Sequence, residues 1–128
     1  MKHIIETKSA PAPIGPYNQA VMAGDMLYMS GQIALDPKTG EMVQISIEDE
    51  THQVMKNIKA ILHAAEMDMI NIVKCSIFIM DMGQFGAINT IYGSYFDKGA
   101  PARETVQVAA LPKGAQVEIS CIAVKSSF

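Results

Sequence analysis

Hydrophobic and polar positions change period along this chain, and the changes divide it into strands and helices. His3-Ile4-Ile5-Glu6 is a short strand candidate. Ala10–Pro16 carries Pro11, Pro13 and Pro16, which remove backbone donors and fix φ, so it is a loop, with Ile14 available for burial. Asn18–Met22 and Met26–Leu35 read as two strands joined at Ala23-Gly24-Asp25. In the second, alternation puts Leu27, Met29, Gly31, Ile33 and Leu35 on one face and Tyr28, Ser30 and Gln32 on the other. Gly31 inside such a run signals a bulge or a close approach to the backbone. Asp36-Pro37-Lys38-Thr39-Gly40 is a turn.

From Ser46 the period lengthens. Val54, Ile58, Ile61, Leu62 and Ala65 recur at helical spacing and form one stripe. Ser46 is the predicted N-cap, with Glu48, Asp49 and Glu50 at the positive end of the dipole, and the helix is expected to end near Glu66. Ile70–Met80 returns to strand character with both parities apolar: Val73, Cys75, Ile77 and Ile79 on one face, Ile72, Phe78 and Met80 on the other. Such a strand is covered on both sides. Asp81 and Gly83 precede a second helix with Phe85, Ile88, Tyr92, Tyr95 and Phe96 on its apolar side, Gly99 as its stop and Pro101 beyond. Glu104–Ala109 and Gln116–Val124 close the chain, read as a hairpin about Leu111-Pro112-Lys113-Gly114. The order predicts a single α+β domain over residues 1–128, one sheet with two helices on one face. No third helix is available for the other face, so a second copy of the chain is expected to cover it.

Composition sharpens this. Hydrophobic residues make up 49% and charged residues 18% of 128, more apolar than a small monomer requires. A net charge of -3 with no basic cluster argues against a nucleic-acid surface. Cys75 and Cys121 lie alone in apolar runs and read as reduced, buried small hydrophobes. No signal-peptide core and no membrane-length run are present, so a cytoplasmic protein is expected.

Conventional catalytic signatures are missing. His3, His52 and His63 lack metal-ligand spacing, no nucleophile triad is suggested, and no glycine-rich phosphate loop follows a strand. What stands out is Arg103, the one arginine in the sequence. Its planar fork matches a carboxylate as a lysine does not. A lone arginine is ordinarily a surface charge. Alternation turns Arg103, Thr105 and Gln107 one way and Glu104, Val106 and Val108 the other. If Ala109 pairs with Gln116 across the hairpin, Glu118 shares a face with Arg103. That pair is either a solvated ion pair of little energetic weight, or a site for a small anion in which Glu118, set among Val117, Ile119 and Ile122, handles protons.

Four motifs then carry a resemblance: Ile14-Gly15-Pro16-Tyr17; Ser30-Gly31-Gln32-Ile33; Pro101-Ala102-Arg103; and Leu111-Pro112-Lys113-Gly114 with Val117-Glu118-Ile119. In order and spacing, over the full length, they resemble the Rid (YjgF) family, closest to its RidA branch. The resemblance implies a chorismate-mutase-like fold assembled as a homotrimer, its sheets packed in the trimer core and its sites in clefts between subunits. It also implies hydrolysis of reactive 2-imino acids, such as 2-iminobutanoate and 2-iminopropanoate, to 2-oxo acids and ammonia, with no metal or organic cofactor. Carried over by position, Arg103 anchors the substrate carboxylate, Glu118 activates water, Tyr17 lines the site, Gly31 offers its carbonyl, and Asn89 joins the cleft. Thr105 stands where many members have cysteine, leaving its backbone N–H for the substrate, and Glu104 stands where serine is frequent. Two other functions fit the same residues. One is a non-catalytic regulator that binds a 2-oxo acid or another carboxylate. The other is an endoribonuclease or translation inhibitor, against which the acidic balance and the lack of a histidine base speak.

Overall fold

The computed structural model describes residues 1–125. Its strands are β1 (Lys2–Ile5), β2 (Ala20–Ala23), β3 (Met26–Gln32), β4 (Ile72–Ile79), β5 (Ala102–Gln107) and β6 (Val117–Val124), and its helices are α1 (Ile47–Ala64) and α2 (Phe85–Gly93). They form one mixed six-stranded sheet in the order β1-β2-β3-β6-β4-β5 with two helices, an α+β fold as the periodicity predicts. All pairs are antiparallel except β4 with β5.

Helix α1 begins where the sequence places it. Ser46 is extended, and its side chain accepts from the Asp49 N–H at 3.0 Å. The predicted stripe is buried, Val54, Ile58, Ile61 and Leu62 completely. Burying each such side chain contributes about 1.5–3 kcal/mol. The helix ends at Ala64, and Glu66 takes φ 59° just beyond it. The core lies between α1 and one face of the sheet: Leu27 and Met29 of β3, Cys75, Ile77 and Ile79 of β4, and Val117, Ile119, Cys121 and Ala123 of β6. Both cysteines are free and buried.

The hairpin expected from Glu104 to Val124 does not form. β6 runs between β3 and β4, and β5 pairs in parallel with the far edge of β4. Leu111–Gly114 therefore carries the chain across β4 and is not a two-strand turn. Two bulges also break the expected alternation. The register of β3 against β6 shifts between Met29 and Gln32, which leaves Gly31 exposed and Gln32 buried, the reverse of the predicted faces. The register of β4 against β6 shifts between Ile72 and Lys74, so Ile72 is buried and Val73 exposed. Helix α2 stops at Gly93, six residues before the expected Gly99, which instead takes φ 67° in the loop that follows.

The second face of the sheet has no helix. Tyr28, Ser76, Phe78, Val106, Glu118, Ser120 and Ile122 lie on it, half-buried or exposed. Lys74 and Glu104 form an ion pair there at 2.7 Å, and the Ser76 hydroxyl donates to the same carboxylate.

Candidate functional site

Arg103 and Glu118 occupy opposite faces of the sheet. Cys75 of β4 is the register partner of both Arg103 on β5 and Cys121 on β6, so these three side chains share the helix-covered face. Glu118 pairs with Phe78, three positions from Cys75, and so points to the open face. The face-sharing predicted for the two residues rested on the hairpin and falls with it. Thr105 stays with Arg103, opposite Ile77, and Glu104 turns away, as alternation required.

Arg103 is held by α2. Its guanidinium lies 5.5 Å from the Phe85 ring centre and 5.1 Å from that of Tyr92, and it donates to Asn89 Oδ1 at 2.7 Å. Phe85, Asn89 and Tyr92 recur at i, i+4 and i+7 on one side of the helix. Among the described residues no carboxylate lies within ion-pair distance of it. A guanidinium stacked on aromatic faces and oriented by one amide, with its charge unmatched, is set up to receive an anion. The aromatic support was legible only as helical periodicity, which reads equally as core. Thr105 Oγ1 is buried without a hydrogen-bond partner beside this group.

Glu118 helps line a cavity of about 360 Å³ with Tyr17, Ser30, Gly31, Ile33, Pro112 and the proline-rich loop. Its carboxyl makes no hydrogen bond among the described residues, and burial raises its pKa above the ordinary carboxylate value. The bulge at Gly31 brings the backbone against it: a Cβ there would lie 2.5 Å from Glu118 Oε2 and 2.7 Å from its carboxyl carbon. Only glycine leaves room for the carboxylate, which is the close approach the sequence signalled. Tyr17 sits at the cavity wall, and its hydroxyl accepts from the Ile14 N–H at 3.3 Å.

Gln19 escaped the sequence reading. It is buried, and its side chain accepts from the Thr7 N–H at 2.7 Å and donates to the carbonyls of Thr7, Ala10 and Pro11 at 2.8–3.2 Å. It thereby fixes the base of the proline-rich loop that walls the cavity. A polar side chain among loop residues gives no periodic signal.

The chain thus presents two separate clusters of polar groups. One is an unneutralised arginine at the α2–β5 seam, with Asn89 and Thr105. The other is an unpaired half-buried glutamate, with Tyr17 and Gly31, across the sheet. The fold is that of an α+β protein with a free cation and a half-buried acid on opposite faces of one sheet. The chain belongs to the Rid family: residues 7–125 match the family model described as endoribonuclease L-PSP. Over 128 residues it is 46% identical to the mouse 2-iminobutanoate/2-iminopropanoate deaminase, covering 100% of this chain and 95% of that one. A RutC family protein of Pyrococcus horikoshii is 48% identical over 98% of this chain and 99% of its own. The crystal structure of E. coli TdcF with bound serine superposes with a TM-score of 0.93 at 43% identity, covering 97% of this chain and 99% of that one. Among the described residues no helix is long and apolar enough to cross a membrane, and no group of three or more His, Cys, Asp or Glu is placed to hold a metal ion.

Proposed function

We propose that this protein hydrolyses 2-imino acids to 2-oxo acids and ammonia, at a site made by two copies of the chain. The observation that carries the reading is the presence on one chain of an unneutralised, pre-oriented Arg103 and a half-buried Glu118 without a hydrogen-bond partner among the described residues. Relatives named as 2-imino acid deaminases support it, as does a relative solved with a bound amino acid, which is itself a carboxylate.

Arg103 takes the substrate carboxylate in a bidentate pair, and Asn89, Phe85 and Tyr92 keep the fork from swinging. The Thr105 backbone N–H adds a second contact. At neutral pH the imine is largely iminium and its C2 is already electrophilic. Glu118 removes a proton from water as the oxygen attacks C2, giving a carbinolamine. It returns that proton to the nitrogen. The C–N bond then breaks as the hydroxyl oxygen becomes the carbonyl and gives up its proton to the Glu118 carboxylate, and ammonia leaves. Tyr17 and the proline loop close around the substrate's alkyl chain, and the Gly31 carbonyl faces the nitrogen.

Because the two groups lie on opposite faces of one sheet, a substrate meets both only where the open face of one copy approaches the α2–β5 seam of another. Such a contact joins two different surfaces, which close into a ring when the rotation between copies divides a full turn. Three copies is the number the family resemblance implies. The test is subunit mixing. Arg103→Ala and Glu118→Gln are each expected to abolish accelerated loss of a freshly generated imine. Unfolding and refolding the two variants together restores about a quarter of wild-type activity, since that share of random sites receives both intact residues. Activity in Arg103→Ala alone refutes the anchor, and mixtures that stay dead refute the shared site. A wild-type protein that binds a 2-oxo acid without accelerating imine loss would be a regulator.

A further inference from the structure

We propose that Glu50, on α1, is a positioning residue for Glu118: its buried carboxylate fixes where β6 begins and so how Glu118 presents its carboxyl to the cavity. The proposal rests on the role given to Glu118 above.

Glu50 is 2% exposed and has no cation within ion-pair distance among the described residues. A carboxylate buried this way must be held by hydrogen bonds. Its Oε2 accepts from the Gln116 N–H at 2.7 Å. Its Oε1 accepts from the Gln44 side-chain amide at 3.3 Å, and the same amide donates to the Gly114 carbonyl at 2.9 Å. On the other side of Gln116, its carbonyl accepts from the Met80 N–H at 3.0 Å. Residue 116 is therefore gripped at both N–H and C=O, two positions before Glu118. Glu50 lies in the first turn of α1, where the dipole favours an anion.

What the clamp restrains is a turn that would not hold its shape unaided. Lys113 and Gly114 take φ 54° and 69° in succession. A lysine at such a φ is strained, because its Cβ crowds the following carbonyl oxygen. Pro112 of the same turn lines the cavity. In a strand, a slip of one residue carries every side chain to the other face, so the start of β6 decides whether Glu118 meets the cavity or the core. An anchor that served stability alone could sit anywhere along residues 108–116. This one falls on the peptide that sets the register of Glu118.

Glu50→Gln keeps an acceptor for the Gln116 N–H and removes the charge, whereas Glu50→Ala leaves that N–H orphaned. Both full-length variants are compared with wild type by kcat and KM for imine hydrolysis, by carbon-detected titration of the Glu118 carboxyl, and by Tm. Among the described residues, Tyr17 is the sole other titratable side chain lining the cavity. Glu50→Gln is expected to match wild type in kcat and in the Glu118 midpoint. Glu50→Ala is expected to lose about tenfold or more in kcat with KM within about twofold. Its Glu118 midpoint falls toward the ordinary carboxylate value as the side chain leaves its half-buried place. A lower Tm with unchanged kcat and midpoint in Glu50→Ala overturns the proposal, because Glu50 is then only structural. Equal displacement of the midpoint by both variants also overturns it, because charge and not position is then at work. If wild type shows no imine hydrolysis yet the midpoint moves only in Glu50→Ala, the functional reading fails and the positioning stands. Should Glu50→Ala not fold, Glu50→Asp, whose carboxylate is one methylene short of the Gln116 N–H, takes its place and must lower kcat in the same sense, an unchanged kcat again overturning the proposal.

Discussion

Glu118 is the residue whose environment makes the sharpest predictions. Burial raises its pKa, so the folded protein binds its proton more tightly than the unfolded chain does. Between the ordinary and the raised pKa the native state holds more protons, and stability falls as pH rises through that window. The ionised form is therefore a liability to the fold and, in the proposed reaction, the form that takes the proton from water. Glu118→Gln is expected to raise Tm at neutral pH, to lose the gain below the ordinary carboxylate range, and to cost about 10²-fold or more in kcat. Thermal melts across pH and single-turnover imine assays read both; a variant less stable at pH 7 contradicts the account. Gly31→Ala tests the same carboxylate from the other side. Its methyl meets Glu118 at 2.5 Å, so the side chain must move, and turnover should drop at least tenfold while the fold persists. A crystal structure of the variant with Glu118 unmoved would contradict this.

At the scale of elements, local pattern located what local forces create. Ser46 capped α1 in sequence and in structure, because a cap needs only its own helix. Ser46→Ala should cost about 1 kcal/mol and lower Tm by a few degrees without touching kcat, as calorimetry and an activity assay can check. The buried stripe of α1 and the strand character of β4 and β6 were equally legible. The pairing of β5 and β6 was not. Leu111-Pro112-Lys113-Gly114 has the residues of a turn whether or not the strands it joins are neighbours, and β6 is drawn away by the apolar pairing open to it between β3 and β4. The glycine signalled the bulge at Gly31 but not that it would bury Gln32, and the bulge near Val73 was hidden, since the effect of each depends on the partner strand against which it is counted.

At the scale of the whole molecule, the open face of the sheet is the feature the proposed assembly uses. Tyr28, Phe78, Val106 and Ile122 lie on it without a covering helix, as the missing third helix led one to expect. The proposed assembly buries this face and brings Arg103 of one copy to Glu118 of the next. Ile122→Glu, placed beside Lys74 where an acid is tolerated, should yield a folded single chain with both residues intact and no imine turnover. Sedimentation gives its mass. A monomer with wild-type activity would show that one chain suffices.

The sequence by itself determined the elements, the single guanidinium, the glycine that makes room and the unmatched apolar face, because these follow from short-range periodicity and residue chemistry. It also carried the family motifs in order. Which face each functional residue occupies was decided only by the tertiary structure. Strand order and bulge positions are set by contacts between segments far apart in the chain, and one of them, β6 threading between β3 and β4, put the two residues of a supposed hairpin site on opposite faces of the sheet.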